Sequence, residues 1–169
     1  NRKHNIKQYI KIFEKLKQIN PYIEFSSDFI IGYPGENDQD FKDTVDLIKK
    51  INFINSYSFI FSPRPGTVAE NLKTIDKKIS FERLEKIQKL LSENQIKTNK
   101  SLENHTVDVL VENLTKDKTK VFGRSEHMTP VFFNGKQEDI GKIVKVKIKS
   151  SSRNSLFGEL LNISSKKVA

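Results

Sequence analysis

The chain contains no cysteine. Its 169 residues therefore hold no disulfide, no thiolate metal site and no cysteine nucleophile. No apolar run approaches the roughly 18 residues that a membrane-spanning helix requires. No secretory signal or transit peptide is visible. Histidine is scarce, and His4, His105 and His127 stand too far apart to read as a metal-ligand set, so all three are expected to be solvated. The chain also lacks an initiating Met and opens at Asn1 inside a basic, helix-like stretch, which predicts a piece of a longer protein. The cytosol is the compartment that these absences favour.

What is present is enough for real cores: 36% hydrophobic and 9% aromatic residues. The formal charge is +9 with a pI near 9.6. Such a balance favours polyanionic partners, nucleic acid first, through phosphate contacts and counterion release. A compositional bias toward Lys would put the same sign on every solvated face, so charge alone leaves both readings open.

Residues 6–19 place Ile6, Tyr9, Ile10, Phe13, Leu16 and Ile19 at helical spacing, and Asn20-Pro21 ends that helix. Ile23 to Ile31 alternates and closes on Phe29-Ile30-Ile31, a predicted buried strand. Gly32-Tyr33-Pro34-Gly35 reads as a turn. Asn37 or Asp38 can cap a second helix carrying Phe41, Val45, Leu47 and Ile48. A second strand, Tyr57 to Phe61, stops at Ser62-Pro63-Arg64-Pro65-Gly66. Helix, strand, helix, strand is the order of parallel βα units. After a polar connector, a long helix is expected from Ser80 to about Lys100 on a stripe of Leu84, Ile87, Leu91 and Ile96. Beyond Asn104 come short alternating runs: Thr106–Glu112, Lys120–Ser125, Thr129–Phe133, Ile143–Lys149 and Ser155–Leu161. Five strands in about 60 residues have the rhythm of a small closed β-barrel.

Two stretches carry chemistry. Asp28-Phe29-Ile30-Ile31-Gly32-Tyr33-Pro34-Gly35-Glu36 runs a strand into a Gly/Pro turn, where the glycines let backbone approach a ligand. A plain structural turn fits the bare pattern as well, and Glu36 fits a first-turn carboxylate facing the helix dipole. Ser62-Pro63-Arg64-Pro65-Gly66-Thr67 presents Arg64 from a loop stiffened by two prolines, as an anion binder.

Taken together, these pieces resemble the "D-x-I-x-G-[FY]-P-G-E … Y-S-x-R-P-G-T" pair of the radical-SAM methylthiotransferases, with Phe61 in place of the Tyr. Asn1-Arg2-Lys3-His4 is similar to the family's "M-N-R-x-[YH]" entry to the preceding helix. The β-rich tail resembles the TRAM domain, a tRNA-binding barrel, in Val107–Glu112, Gly123-Arg124-Ser125, Val131-Phe132-Phe133, Ile140-Gly141-Lys142 and Asn154–Glu159. The resemblance implies an α/β plus all-β chain: the C-terminal part of a radical-SAM parallel (β/α) barrel in residues 1–79, a linker helix in 80–102, and a five-stranded antiparallel, OB-like TRAM barrel in 103–169.

It also implies the activity. Within the family the likeness is to the branch that thiomethylates isopentenylated adenosine beside the anticodon; the branch acting on threonylcarbamoyladenosine is the nearest alternative, and a non-catalytic RNA-binding module is another. Family chemistry is reductive cleavage of S-adenosylmethionine at one [4Fe–4S] cluster, with sulfur supplied from a second and electrons from a donor. Cofactor contacts are expected from Ile30, Gly32 and Pro34, with Arg2, Ser62 and Arg64 meeting the S-adenosylmethionine carboxylate or tRNA phosphate. In the tail, Lys120, Arg124, Lys145, Lys147 and Arg153 can track the phosphates of an anticodon stem-loop. Phe122, Phe132 and Phe133 are candidate stacking faces. A small barrel also needs Phe inside, and alternation sends Phe132 and Phe133 to opposite sides. A monomer is expected.

Because cluster ligands are missing here, anaerobic reconstitution of this chain with iron and sulfide is expected to give neither iron–sulfur absorbance nor S-adenosylmethionine cleavage. A visible cluster spectrum would overturn that expectation.

Overall fold

Asn5 starts the first helix, α1 (Ile6–Ile19). Its side chain accepts from the N–H of Gln8, and Gln8 Oε1 accepts the Asn5 N–H in return, so two otherwise orphaned donors are satisfied. The computed structural model describes residues 5–161 and 166–167, and Arg2 lies outside the described residues. Tyr9, Ile10, Phe13 and Leu16 form the half-buried side of α1, with Phe13 edge-on to Phe25 at 4.9 Å. Ile6 and Ile19, expected on that stripe, are exposed.

The chain divides into two units, Asn1–Ile87 and Gln88–Ala169. In the first, β1 (Asp28–Ile31) and β2 (Tyr57–Ile60) pair in parallel, with Asp28 opposite Tyr57 and Ile31 opposite Ile60, as the βα reading expects. β1 is shorter than the predicted Ile23–Ile31. Residues 23–27 spend their hydrogen bonds on loop groups instead: Phe25 O accepts from Ile54 N–H, and Ser27 N–H donates to Ser56 Oγ. Between the strands lies α2 (Asp38–Ile51), capped by Asn37, which accepts from the N–H groups of Gln39 and Asp40 while Asp40 accepts from Asn37. Val45, Ile48 and Ile51 of α2 are buried, as are Phe29, Ile31, Phe53 and Ile54. Alternation leaves Ile30, Tyr57 and Phe59 on the other face of the strand pair, exposed.

A single 3-10 turn, Val68–Asn71, precedes α3 (Lys77–Ser101). That helix begins before the predicted Ser80, because Asp76 Oδ1 accepts from the N–H groups of Lys78 and Ile79. Its buried positions also differ from the predicted stripe. Ser80, Arg83, Ile87, Leu91, Gln95 and Asn99 are buried, whereas Ile96 is 48% exposed. A row of polar side chains can stay buried only if hydrogen-bonded, and no buried side-chain nitrogen or oxygen among the described residues lacks a partner. No helix among those residues is long and apolar enough to cross a membrane.

The second unit is a barrel. Its strands are β3 (Thr106–Leu114), β4 (Val121–Ser125), β5 (Pro130–Asn134), β6 (Lys142–Ser151) and β7 (Leu156–Leu160). They hydrogen-bond in the order β3-β4-β5-β7-β6, and β6 returns to β3. This five-stranded closure is the Greek-key arrangement of OB-type barrels. Two features correct the expected antiparallel five: β5 and β7 run parallel, because a barrel in this order makes its third and last strands neighbours, and β8 (Lys166–Lys167) adds a short pairing to Lys142 and Ile143. The interior holds Val107, Val109, Val111, Val121, Val131, Phe133, Val144, Val146, Ile148 and Leu156.

Two glycines make the corners. Val111 opposes Gly123 just before a bulge in β3, and Ile148 opposes Gly158 just before a bulge in β6. A Cβ at Gly123 would collide with the Leu110 carbonyl, and one at Gly158 would lie 2.5 Å from the Lys147 carbonyl oxygen. Gly158→Ala is therefore expected to destabilise the barrel by about 1–3 kcal/mol in urea unfolding followed by circular dichroism. Gly141→Ala meets only open space and a positive φ, so its cost should stay near 1 kcal/mol. Equal stability of the two variants would show that the backbone approach at Gly158 is not limiting.

Candidate functional site

In the first unit the expected Gly32–Glu36 turn sits at the end of β1. Gly32 adopts φ 73° and Gly35 φ 91°, both favouring glycine. Gly32 has a second reason to be glycine: a Cβ there would meet Ser80 Oγ at 2.6 Å. Its N–H donates to Glu36 Oε2 at 3.0 Å. Glu36 precedes the Asn37 cap instead of lying in the first turn of α2, and its other oxygen accepts from Arg83 Nη1 at 2.6 Å. Arg83 also donates from Nη2 to Asp38 at 2.6 Å and lies over the Phe41 ring. Burial acts to lower the pKa of this guanidinium, but the hydrogen bonds and charges of Asp38 and Glu36 outweigh it and raise the pKa. The turn is thus clamped by an arginine that the sequence reading did not single out.

Tyr33 meets Phe61 edge-on at 5.1 Å, and Phe61 N–H donates to Ile31 O, which brings the start of the Ser62–Thr67 loop beside the turn. In that loop Thr67 Oγ1 and N–H both donate to the Arg64 carbonyl, and Glu70 accepts from Gly66 N–H. Ser62 and Arg64 are exposed, Pro34 is half-buried and Ile30 is 58% exposed.

On the barrel, strand alternation sets one outward row across five strands: Asn113, Phe122, Phe132, Phe157 and Ser150. The rings of Phe122 and Phe132 lie 5.9 Å apart, and those of Phe132 and Phe157 stack at 5.7 Å. Phe133 points inward and is 1% exposed, so it belongs to the core and not to a stacking face. Phe157, which sequence reasoning missed, replaces it. The available signal was its even spacing in the last strand, two residues before the outward Glu159.

The expected cations are placed unequally. Arg124 lies on β4 two residues from Phe122, donating to Glu112 Oε1 at 3.1 Å and to the Met128 carbonyl. Lys145 pairs with Asp108 at 2.8 Å, on the β3 side of β6 and away from the Phe row. Lys147 faces outward on β6, and Lys120 ends the Thr115–Lys120 turn with Lys116 and Lys118. Among the described residues, Lys120, Lys147 and Arg153 form no ion pair. Arg153 sits on the turn between β6 and β7, closed by Ser152 N–H donating to Ser155 O. The β3–β4 and β6–β7 turns are the positions at which OB-type barrels contact oligonucleotides, together with the face of their second and third strands.

The Arg83 clamp is testable. All four tyrosines, at 9, 22, 33 and 57, lie in Asn1–Ile87, so tyrosine fluorescence reports that unit alone. Arg83→Met strands the half-buried Glu36 charge and should cost roughly 3 kcal/mol, partly restored by adding Glu36→Gln. Strictly additive losses in the double variant would argue against a direct pair.

Comparison with known proteins agrees with this geometry. Residues 100–161 match the family described as TRAM domain. The chain is 64% identical over all of its 169 residues to a tRNA-2-methylthio-N(6)-dimethylallyladenosine synthase of Pelagibacter ubique, covering 38% of that protein. It is 44% identical over 161 residues to the enzyme of that name from Ruthia magnifica, and 42% over 162 residues to that of Rickettsia canadensis, in each case 95% of this chain and 36% of the relative. The chain thus spans well under half the length of the curated relatives it matches. The chain is thus similar to these synthases along its length, and residues 100–161 match the TRAM domain.

Proposed function

We propose that the chain is the tRNA-binding end of an enzyme that adds a methylthio group to N6-isopentenyladenosine beside the anticodon. The observation that carries this reading is the match, at 42–64% identity and over 95–100% of the chain, to synthases named for that product. On this reading residues 1–79 are βα units from the C-terminal part of a radical-SAM barrel, 80–102 a linker, and 103–169 the RNA-binding domain. The open apolar face of the strand pair, Ile30 with its register partner Phe59 and nearby Tyr57, supports it, since an inner barrel wall has that character.

That face also suits an adenine ring. Ile30 and Pro34 would border S-adenosylmethionine, and Gly32 would shape the turn without offering its N–H, which Glu36 occupies. Arg2, Ser62 and Arg64 would meet the S-adenosylmethionine carboxylate or tRNA phosphate. The two [4Fe–4S] clusters do not fit these residues: clusters are held by thiolates, and the chain has no cysteine. Their ligation, and the docking of an electron donor, are assigned to the rest of a longer protein. S-adenosylmethionine and the clusters, when bound there, supply the radical and sulfur chemistry.

The work of this chain's own residues is to hold and orient the anticodon stem-loop. The Phe122, Phe132 and Phe157 rings offer stacking surfaces to unpaired bases, and Lys120, Arg124, Lys145, Lys147 and Arg153 are the phosphate contacts. Arg124 and Lys145 remain eligible despite their carboxylate partners, because exposed pairs are worth only about 0–1 kcal/mol. The enzyme is placed in the cytoplasm as a monomer.

Titrating anticodon stem-loop RNA into the chain at several salt concentrations tests this. Phe132→Ala should weaken binding by about 1–3 kcal/mol with little change in salt slope. Arg153→Ala should flatten the slope of log K against log salt by about 0.7–0.9. A wild-type chain that ignores the RNA would remove the proposal.

A further inference from the structure

The last turns of α3 carry two buried amides in the second unit. Asn99 is 0% exposed and Gln95 is buried beside it. Asn99 Nδ2 donates to two successive carbonyls of the β6–β7 turn, Ser152 O at 2.9 Å and Arg153 O at 3.0 Å. Asn99 Oδ1 accepts from Gln95 Nε2 at 2.9 Å. One turn further on, Glu103 Oε1 accepts from Ser151 Oγ at 2.7 Å. The end of the helix and Glu103 just beyond it therefore grip the residue that leads into the turn and the backbone of Ser152 and Arg153.

We propose that the Gln95–Asn99 pair is a positioning element for RNA binding: it fixes the backbone of the Ser152–Ser155 turn and thereby aims Arg153 at phosphate. The inference rests on the RNA-binding reading above and adds to it residues that touch no RNA themselves.

The chemistry favours an aiming role over a merely cohesive one. A buried hydrogen bond contributes only modestly to net stability, because the unfolded groups bond to water as well. A planar NH2 group is nevertheless specific. Its two N–H bonds diverge at a fixed angle, so they reach Ser152 O and Arg153 O only when both carbonyls turn toward the helix. Gln95 removes the remaining freedom: with its donor on Oδ1, a flipped Asn99 amide would set an oxygen against two carbonyl oxygens and a nitrogen against a nitrogen. A four-residue turn held by its own Ser152–Ser155 hydrogen bonds alone has no such reference to the rest of the unit. The side chain that the turn carries, Arg153, is exposed and forms no ion pair among the described residues, so the device ends in a free, aimed cation.

The test uses the full chain and anticodon stem-loop RNA at several salt concentrations. Asn99→Asp keeps the shape of the side chain but replaces the two donors by an oxygen facing two carbonyls. Its salt slope is expected to flatten by about 0.7–0.9, the same change as in Arg153→Ala. The Asn99→Asp/Arg153→Ala double variant should bind no more weakly than either single variant. If Asn99→Asp does not fold, a second variant decides: Asn154→Gly/Ser155→Gly loosens the turn without touching the helix, and the same slope change is expected. A folded Asn99→Asp, or a loosened turn, with wild-type affinity and slope overturns the proposal. Additive losses in the double variant overturn it too, since Asn99 would then act otherwise than through Arg153. If the wild-type chain binds no RNA, the underlying reading falls and this proposal with it; loss of the proposal alone shows as intact wild-type binding with indifferent variants.

Discussion

Closing five short strands into a barrel forces the chain to bend sharply at two places, and at both the neighbouring backbone comes too close for a side chain. Gly123 and Gly158 are the residues that permit it, each opposite a bulge on the long partner strand. The outward surface depends on these corners. The residue on the β4 side of one is Phe122 and the residue before the other is Phe157, and the straight strand β5 between them contributes Phe132. Shifting either register by one residue would send a ring inward and a core residue, Val121 or Leu156, outward. The row of three rings is thus a consequence of how the barrel is closed. Hydrophobic demand does not account for it, since the interior is already filled by Val, Ile, Leu and the single ring of Phe133.

A second dependence runs along α3, whose buried positions are mostly polar. Burying Arg83, Gln95 and Asn99 is tolerable because each has its hydrogen bonds met, and such groups then specify one arrangement where an apolar contact would accept several. In Asn1–Ile87, Arg83 fixes the turn after β1 through Glu36. In Gln88–Ala169, Asn99 fixes the turn before β7. Each uses a side chain with rigidly placed donors, a guanidinium in one case and an amide in the other, on backbone or carboxylate oxygens.

This explains what could and could not be seen in the sequence. The βα order, the parallel pairing of β1 with β2 and the positions of the five barrel strands were legible, because apolar residues at periods of two and 3.6 mark them directly. The opposite facing of Phe132 and Phe133 followed from the same alternation. The polar row of α3 was not legible, since a stripe search scores Leu84 and Ile96 and passes over Arg83 and Asn99. Nor was the parallel β5–β7 pair, which follows from closure and not from any local pattern. Nor was the pairing of Glu36, whose partner Arg83 is 47 residues away. Contacts at that separation leave no periodic trace.

The same distinction bears on what the charge of +9 means. A count treats every cation alike, but the structure does not. Arg83 is spent on two carboxylates, the largely buried Glu36 and the exposed Asp38, and cannot leave them without stranding Glu36. Arg124 and Lys145 hold exposed partners that they can exchange for phosphate at small cost. Among the described residues, Lys120, Lys147 and Arg153 hold no carboxylate to give up. Attraction to a polyanion therefore rests on a subset of the thirty basic residues, and that part fades as salt rises. The stacking proposed for Phe122, Phe132 and Phe157 does not depend on charge, so it would persist where the Coulombic part is screened. A basic chain without such a row would bind any polyanion and release it in salt; on the proposed RNA-binding reading, the outward rings add a surface suited to strands whose bases are unpaired.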